Sequence, residues 1–179
     1  MAYAVFESTN MKSTNGSLPI YDVVANTDIE NGTVGYIELT EKKDGVIYTF
    51  HKGVKAGAVT VIADQPAWTE DTSYLVNQRK DKFIIEKGVP FRGRAIGVGC
   101  KFSISGDAVT PETVDKMKQD AYVTVNSDGK FVASETKTDS AVVECYVESS
   151  RVTGGQIVTK ANTYGYSRVM YEAKVKVLA

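Results

Sequence analysis

Apolar and polar positions alternate with a period of two along most of the chain, in short runs punctuated by turn residues, which is the pattern of β-strands. Thr33 to Leu39 alternates apolar with small or polar residues. Lys42-Lys43-Asp44-Gly45 supplies an Asp-Gly turn, and Val46 to Phe50 returns as the second strand of a hairpin. Ala58 to Ala63 is β-branched and almost wholly apolar, which predicts a strand buried on both faces. Phe91 to Val98 and Lys101 to Ser105 predict two short strands around a bend at Gly97 and Gly99. Tyr122 to Val125 and Lys130 to Ala133 flank Asn126-Ser127-Asp128-Gly129, the clearest hairpin in the chain. Ala141 to Glu148 predicts a further strand, and Gly154-Gly155 a turn before Gln156 to Thr159. Arg168 to Leu178 closes the chain as a long strand, with Val169, Tyr171, Ala173, Val175 and Val177 on one face.

Two places interrupt the strand pattern. Thr69 is suited to cap a helix that begins at the acidic pair Glu70-Asp71 and runs one or two turns past Asn77 at most, with Trp68, Leu75 and Val76 turned inward. Pro111 opens a helical turn inside the connector Gly106–Asp120. Residues 1–30 show no sustained period, and Ser13-Thr14-Asn15-Gly16-Ser17 reads as a flexible centre, so this stretch is expected to be an arm without a core of its own. The fold class that follows is mainly β: small β-barrel or sandwich lobes with an N-terminal extended arm and one short helical segment. The expected organisation is an arm over 1–30, a first β-rich lobe over 31–98 and a second over 99–179, with one continuous domain as the alternative.

Composition narrows the class. A chain of 179 residues with 42% apolar and 24% charged residues buries enough surface to fold without a disulfide or metal. It holds no apolar run of the roughly 20 residues that span a bilayer, and its start lacks a basic, then apolar, leader pattern. The product is therefore expected to stay in the cytoplasm where it is made, or to leave by cell lysis. The net charge of −1 supplies no general attraction to nucleic acid or to an anionic membrane. The charge is unevenly placed. Residues 1–30 carry Lys12 against Glu7, Asp22, Asp28 and Glu30, whereas Arg79, Lys80, Lys82, Lys87, Arg92 and Arg94 outnumber Asp81 and Glu86 in the middle of the chain. An acidic start beside a basic middle would favour head-to-tail contacts between copies, and solvated surface charge is the plainer explanation.

Candidate chemistry is sparse. His51 is the single histidine, Cys100 and Cys145 lack a C-x-x-C partner, and no Gly-x-Ser-x-Gly elbow or phosphate-binding loop is present. The sequence therefore gives no reason to expect an enzyme, a metal or a cofactor. The two cysteines are expected as buried free thiols, although a pairing stays open while both could fall in one barrel. Tyr164 and Tyr166, with Arg168 beyond, lie on one side of an extended segment. Tyrosine and arginine are favoured at protein interfaces.

The stretch Pro66-Ala67-Trp68-Thr69-Glu70-Asp71, followed by Asn77-Gln78-Arg79 and Gly88-Val89-Pro90-Phe91-Arg92, resembles a family of small virion proteins of tailed bacteriophages and prophages. Asn31-Gly32-Thr33-Val34-Gly35-Tyr36 and the Tyr122–Val125 hairpin are similar to it as well. The resemblance covers most of the chain from Asn31 and implies a head protein that decorates or cements the outer capsid shell, with a virion location. Its implied partners are the major capsid protein and further copies of itself, a trimer being frequent in that role, with neither nucleic acid nor membrane. The residues we expect at contacts are Tyr3, Phe6, Met11 and Ile20 on the arm, Arg79, Arg92 and Arg94 in the basic stretch, and Tyr164, Tyr166 and Arg168 near the end. Removing residues 1–20 is then expected to abolish shell binding and leave a folded protein. A tail or head-closure component that forms rings, and a host-recognition fibre or adhesin module, are the alternatives.

Overall fold

Strand Val59–Ala63 shows how the chain is organised, because its two faces lie in two different cores. In the computed structural model, which describes residues 3–43, 45–65, 83–153, 156–158, 163–165 and 168–178, Val61 and Ala63 pack with Val23, Ile37, Phe50 and Phe91. Ile62, one residue out of phase, packs with Phe102, Phe131 and Val34. The expectation of a strand buried on both faces holds, since Thr60 to Ala63 are all buried.

The first core lies inside a barrel. In chain order the strands that build it are β2 (Ile20–Ala25), β3 (Val34–Ile37), β5 (Ile47–Lys52), β6 (Val59–Ala63) and β7 (Pro90–Ala95). They lie in the order β2-β7-β6-β3-β5, and a parallel pairing of Val23, Val24 and Ala25 with Tyr48, Thr49 and Phe50 closes the ring. Closure removes the edges that an open sheet would expose. The short strand β4 (Lys42–Lys43) pairs outside β5, with Lys43 opposite Ile47. Gly35 is required here, because a Cβ on it would come within 2.3 Å of Phe50 Cζ.

The second core is covered by a six-stranded sheet. Its members are β1 (Phe6–Glu7), β8 (Lys101–Ser105), β9 (Tyr122–Val125), β10 (Phe131–Ser134), β11 (Val143–Thr153) and β14 (Arg168–Leu178), in the order β1-β8-β14-β11-β9-β10. The predicted 122–133 hairpin is β9–β10, and the turn after Pro111 is a 3₁₀ helix over Pro111–Lys116. Two further short strands, β12 (Gln156–Val158) and β13 (Thr163–Gly165), pair with each other. The chain is thus mainly β, a five-stranded barrel and a second sheet. The helix expected over Thr69–Asn77 lies outside the described residues.

The two cores meet along a defined seam. Val34, Ile62 and Ile96 of the barrel strands and their flanks pack into the second core. The Val34 N–H donates to the Gly129 carbonyl at 2.9 Å, so the β9–β10 turn docks against β3. Gly129 has φ +77°, and a Cβ there would sit 2.2 Å from the Val34 carbonyl oxygen.

Strand β14 departs from the expected pattern at its end. Val169, Tyr171, Ala173 and Val175 share a face, but the register with β11 shifts between Glu144 and Cys145 and inserts Lys176 as an extra residue. Leu178 therefore packs against the core where Val177 was expected.

Candidate assembly surface

Residues 3–30 are non-helical, and they are built into the body. Val5 and Met11 are wholly buried, and Phe6 is only 6% exposed. Phe6 lies opposite Ile104 in the sheet, and its ring sits 6.0 Å from that of Phe102. The Ala4 N–H donates to Glu30 Oε2 and the Val5 N–H to Ser105 Oγ, both at 2.9 Å. Sparse apolar residues hide in a polar background, yet Ala4, Phe6 and Met11 reach a core that is already formed. The expectation of an arm without a core, with Phe6 and Met11 as outward contacts, is corrected on this point. The reason is the transfer of apolar surface out of water into an existing core.

Arg94 is corrected as well. Its Nε donates to Asp64 Oδ2 and both side chains are largely covered. Asp64 also accepts from Ser8 Oγ at 3.0 Å, so the pair clasps the N-terminal segment to the barrel. A cleft of about 390 Å³ lies along this clasp, lined by Ser8, Asn31, Asp64, Gln65 and Arg94 among others. Tyr3 is half-buried beside a larger groove. Ile20, 44% exposed, opens β2 opposite Arg94, and exposed Arg92 lies opposite Asp22. Arg79 and Tyr166 lie outside the described residues. Tyr164 stands opposite Ile157 in β13, and Arg168 stands opposite Thr153 at the start of β14. The expected contacts are thus not brought together into one surface among the described residues.

A different feature stands out from the body. β11 and β14 pair from Val143↔Leu178 to Thr153↔Arg168, whereas β8 stops against β14 at Met170 and β9 stops against β11 at Tyr146. The distal part of this two-stranded ribbon therefore has no neighbouring strand on either side among the described residues. A bulge at Glu148 keeps the ribbon's phase. It places Val152, opposite Val169, on the same face as Val147, Ala173 and Val175. Within the body that face is core. Beyond it the same apolar strip continues uncovered, with Val152 71% and Val169 45% exposed. The strip adjoins the groove of about 570 Å³ lined by Tyr3, Val109, Pro111, Val114, Val169 and Tyr171.

The ribbon's root is electrostatically braced. Glu148, at the bulge, accepts from Lys101 at 2.5 Å and pairs with Lys174 at 3.5 Å, on strands β8 and β14. The Lys101 ammonium holds the Glu148 carboxyl below its usual range. Arg151 reaches back to Glu7 on β1 at 2.5 Å. On the barrel, His51 Nε2 lies 2.8 Å from Glu41 Oε2 and its ring stacks on Tyr36. Cys100 and Cys145 are buried free thiols. Burial pushes Cys145 up to about 12. Among the described residues no group of three or more His, Cys, Asp or Glu is placed to hold a metal ion.

The signal for Val152 was present in the sequence as an anomaly. Along β11 the residues Val143, Cys145 and Val147 fall at odd positions and Val152 at an even one. Such a slip of phase within one strand is what a bulge produces. No family model, curated protein or solved structure matches the chain.

Proposed function

We infer that the chain is a structural protein of a bacteriophage particle that binds the outer surface of the capsid shell and stabilises it. The observation that carries this reading is the projecting β11–β14 ribbon, whose core-facing strip runs on past the body as exposed Val152 and Val169. Exposed apolar residues that continue a core face mark a surface built to be covered. The sequence resemblance to phage head proteins supplies the partner class, the major capsid protein. The closed barrel and the clasped N-terminal segment supply a rigid mount for the ribbon. A strip this small contributes little per copy, and repetition over many lattice sites would make the sum effective. The reading is of a binding protein located on the virion, with no catalytic role.

The test is cosedimentation of the purified protein with expanded, undecorated capsids. Wild type is expected in the pellet, and the double variant Val152→Lys/Val169→Lys in the supernatant with its circular dichroism unchanged. Wild type that stays in the supernatant at saturating concentration would overturn the reading. Rings in negative-stain images of the protein alone would favour a tail or head-closure role instead.

A further inference from the structure

Every long strand edge in the described structure is protected except one. The barrel closes on itself, and its attached strand β4 is two lysines, a pairing edge blocked by charge. At the far end of the second sheet, the Thr110 N–H donates to the Phe131 carbonyl at 2.8 Å and Thr113 Oγ1 accepts from the Ala133 N–H at 3.2 Å, which occupies the outer edge of β10. At the other end β1 is two residues long. The remaining unpaired stretches among the described residues are no longer than three residues: Ile20 to Asp22 on β2, Lys101 with Phe102 on β8, Arg168 with Val169 and Lys176 to Leu178 on β14, and the outer edges of β12 and β13. Ser149 to Thr153 of β11 differ. They pair with β14 on one side, and past Val147, which exchanges hydrogen bonds with Ala121 and Asp120, no described strand pairs on the other. Ser149, Ser150, Arg151 and Val152 are exposed.

We propose that this edge pairs with the same edge of a second copy, antiparallel and about a two-fold axis at Arg151, so that the ribbons of two molecules form one four-stranded sheet. The occupant follows from the edge inventory. Strand addition needs a second open edge of matching length, and the described residues of this chain offer only the same one, which makes the contact isologous. In that register Ser149 faces Thr153 of the other copy and Ser150 faces its Val152. The valine pairs Val152–Val169 of both copies then lie side by side in one apolar strip. Arg151 meets Arg151 across the axis, and the like charges are tolerable because each guanidinium is already bound to Glu7 of its own chain at 2.5 Å. Five added residues cover far less than the roughly 800 Å² per partner of a standard interface, so the pair is weak in free solution. Pairs, and not trimers, are the unit this edge produces.

The full chain is examined by sedimentation equilibrium from about 5 to about 500 µM, the range in which an interface well below standard size dissociates. A reversible monomer–dimer equilibrium is expected. Val152→Lys is expected to weaken it about tenfold, because it places a charge on the pairing edge. Unchanged circular dichroism and melting would show that this variant stays folded, as its exposed position requires. The register is read by Ser150→Cys/Val152→Cys. Directly opposed positions bring Cβ atoms within reach of a disulfide, so mild oxidation should give a covalent dimer, while Cys100 and Cys145 stay buried and silent. A chain that remains monomeric throughout the range, or a dimer unmoved by Val152→Lys, overturns the proposal. The shell-binding reading stands or falls separately. A dimer that ignores capsids would keep this contact and lose that function, and a monomer that binds capsids would do the reverse.

Discussion

Replacing Phe6 by alanine tests whether the N-terminal segment belongs to the body or hangs from it. The ring is 6% exposed, lies 6.0 Å from Phe102 and packs within the core that also holds Met11, Ile104 and Phe131. Truncating a buried phenylalanine removes its transfer free energy and leaves a cavity, which together cost about 3–5 kcal/mol. Phe6 sits on a two-residue strand close to the start of the chain, so the site can partly collapse. The lower end, about 3 kcal/mol, is therefore expected. For a chain of this length each kcal/mol lowers the melting temperature by about 2–4 °C, so the variant should melt about 6–12 °C below wild type. Thermal and urea unfolding followed by circular dichroism measure both quantities. A loss under about 1 kcal/mol, the range of surface substitutions, would refute the reasoning and restore the picture of a free arm. By the same argument, removal of residues 1–20 should prevent folding instead of producing a folded, non-binding protein.

Other consequences can be checked in simpler assays. Gly129→Ala should cost more than about 2 kcal/mol in urea unfolding, because its φ is +77° and the new Cβ would meet the Val34 carbonyl oxygen; an unchanged midpoint would mean that the β9–β10 turn does not dock on β3. Neither Cys100 nor Cys145 should react with a thiol reagent in the native protein at neutral pH, and both should react in denaturant; fast native labelling would contradict their burial. Glu148 has its carboxyl held below the ordinary 4.5 by Lys101, so its contribution is present above that value and fades as pH falls through the lower folded value. Glu148→Gln should therefore shrink the loss of stability as pH falls below the ordinary 4.5, and identical pH profiles would remove the pairing from the account.

Most of the fold was legible because the elements that form it obey local rules. The β9–β10 hairpin has Asn126 Oδ1 accepting from the Asp128 and Lys130 N–H groups and a glycine at positive φ, all within one turn. Strand β6 announced itself by β-branching alone. What local reading missed is where a strand's neighbours come from. Residues 4–11 look like linker because a two-residue strand has no periodicity to show, and only the partners Ser103 and Ile104, roughly a hundred positions away, make it part of a sheet. Arg94 looked like a free cation for the same reason, since Asp64 reaches it, and Ser8 reaches Asp64, only through tertiary packing.

The proposed assembly surface was half-visible. Aromatic and basic residues near the end of the chain drew attention to the strands that carry the proposed surface, with Arg168 opening β14, but not to Val152 and Val169. Tyrosine and arginine are interface residues by composition, whereas Val152 and Val169 qualify only by position, as members of a core face that outruns its core. A period-two pattern cannot separate the two cases, because a valine that continues an apolar face reads the same whether another layer covers it or not. The decisive fact is the length mismatch: β11 and β14 run for eleven residues each, and β8 and β9 for five and four. Two strands that outlast their neighbours by this much leave edge and face unpaired among the described residues, and an open edge beside an apolar face is what a binding partner would cover.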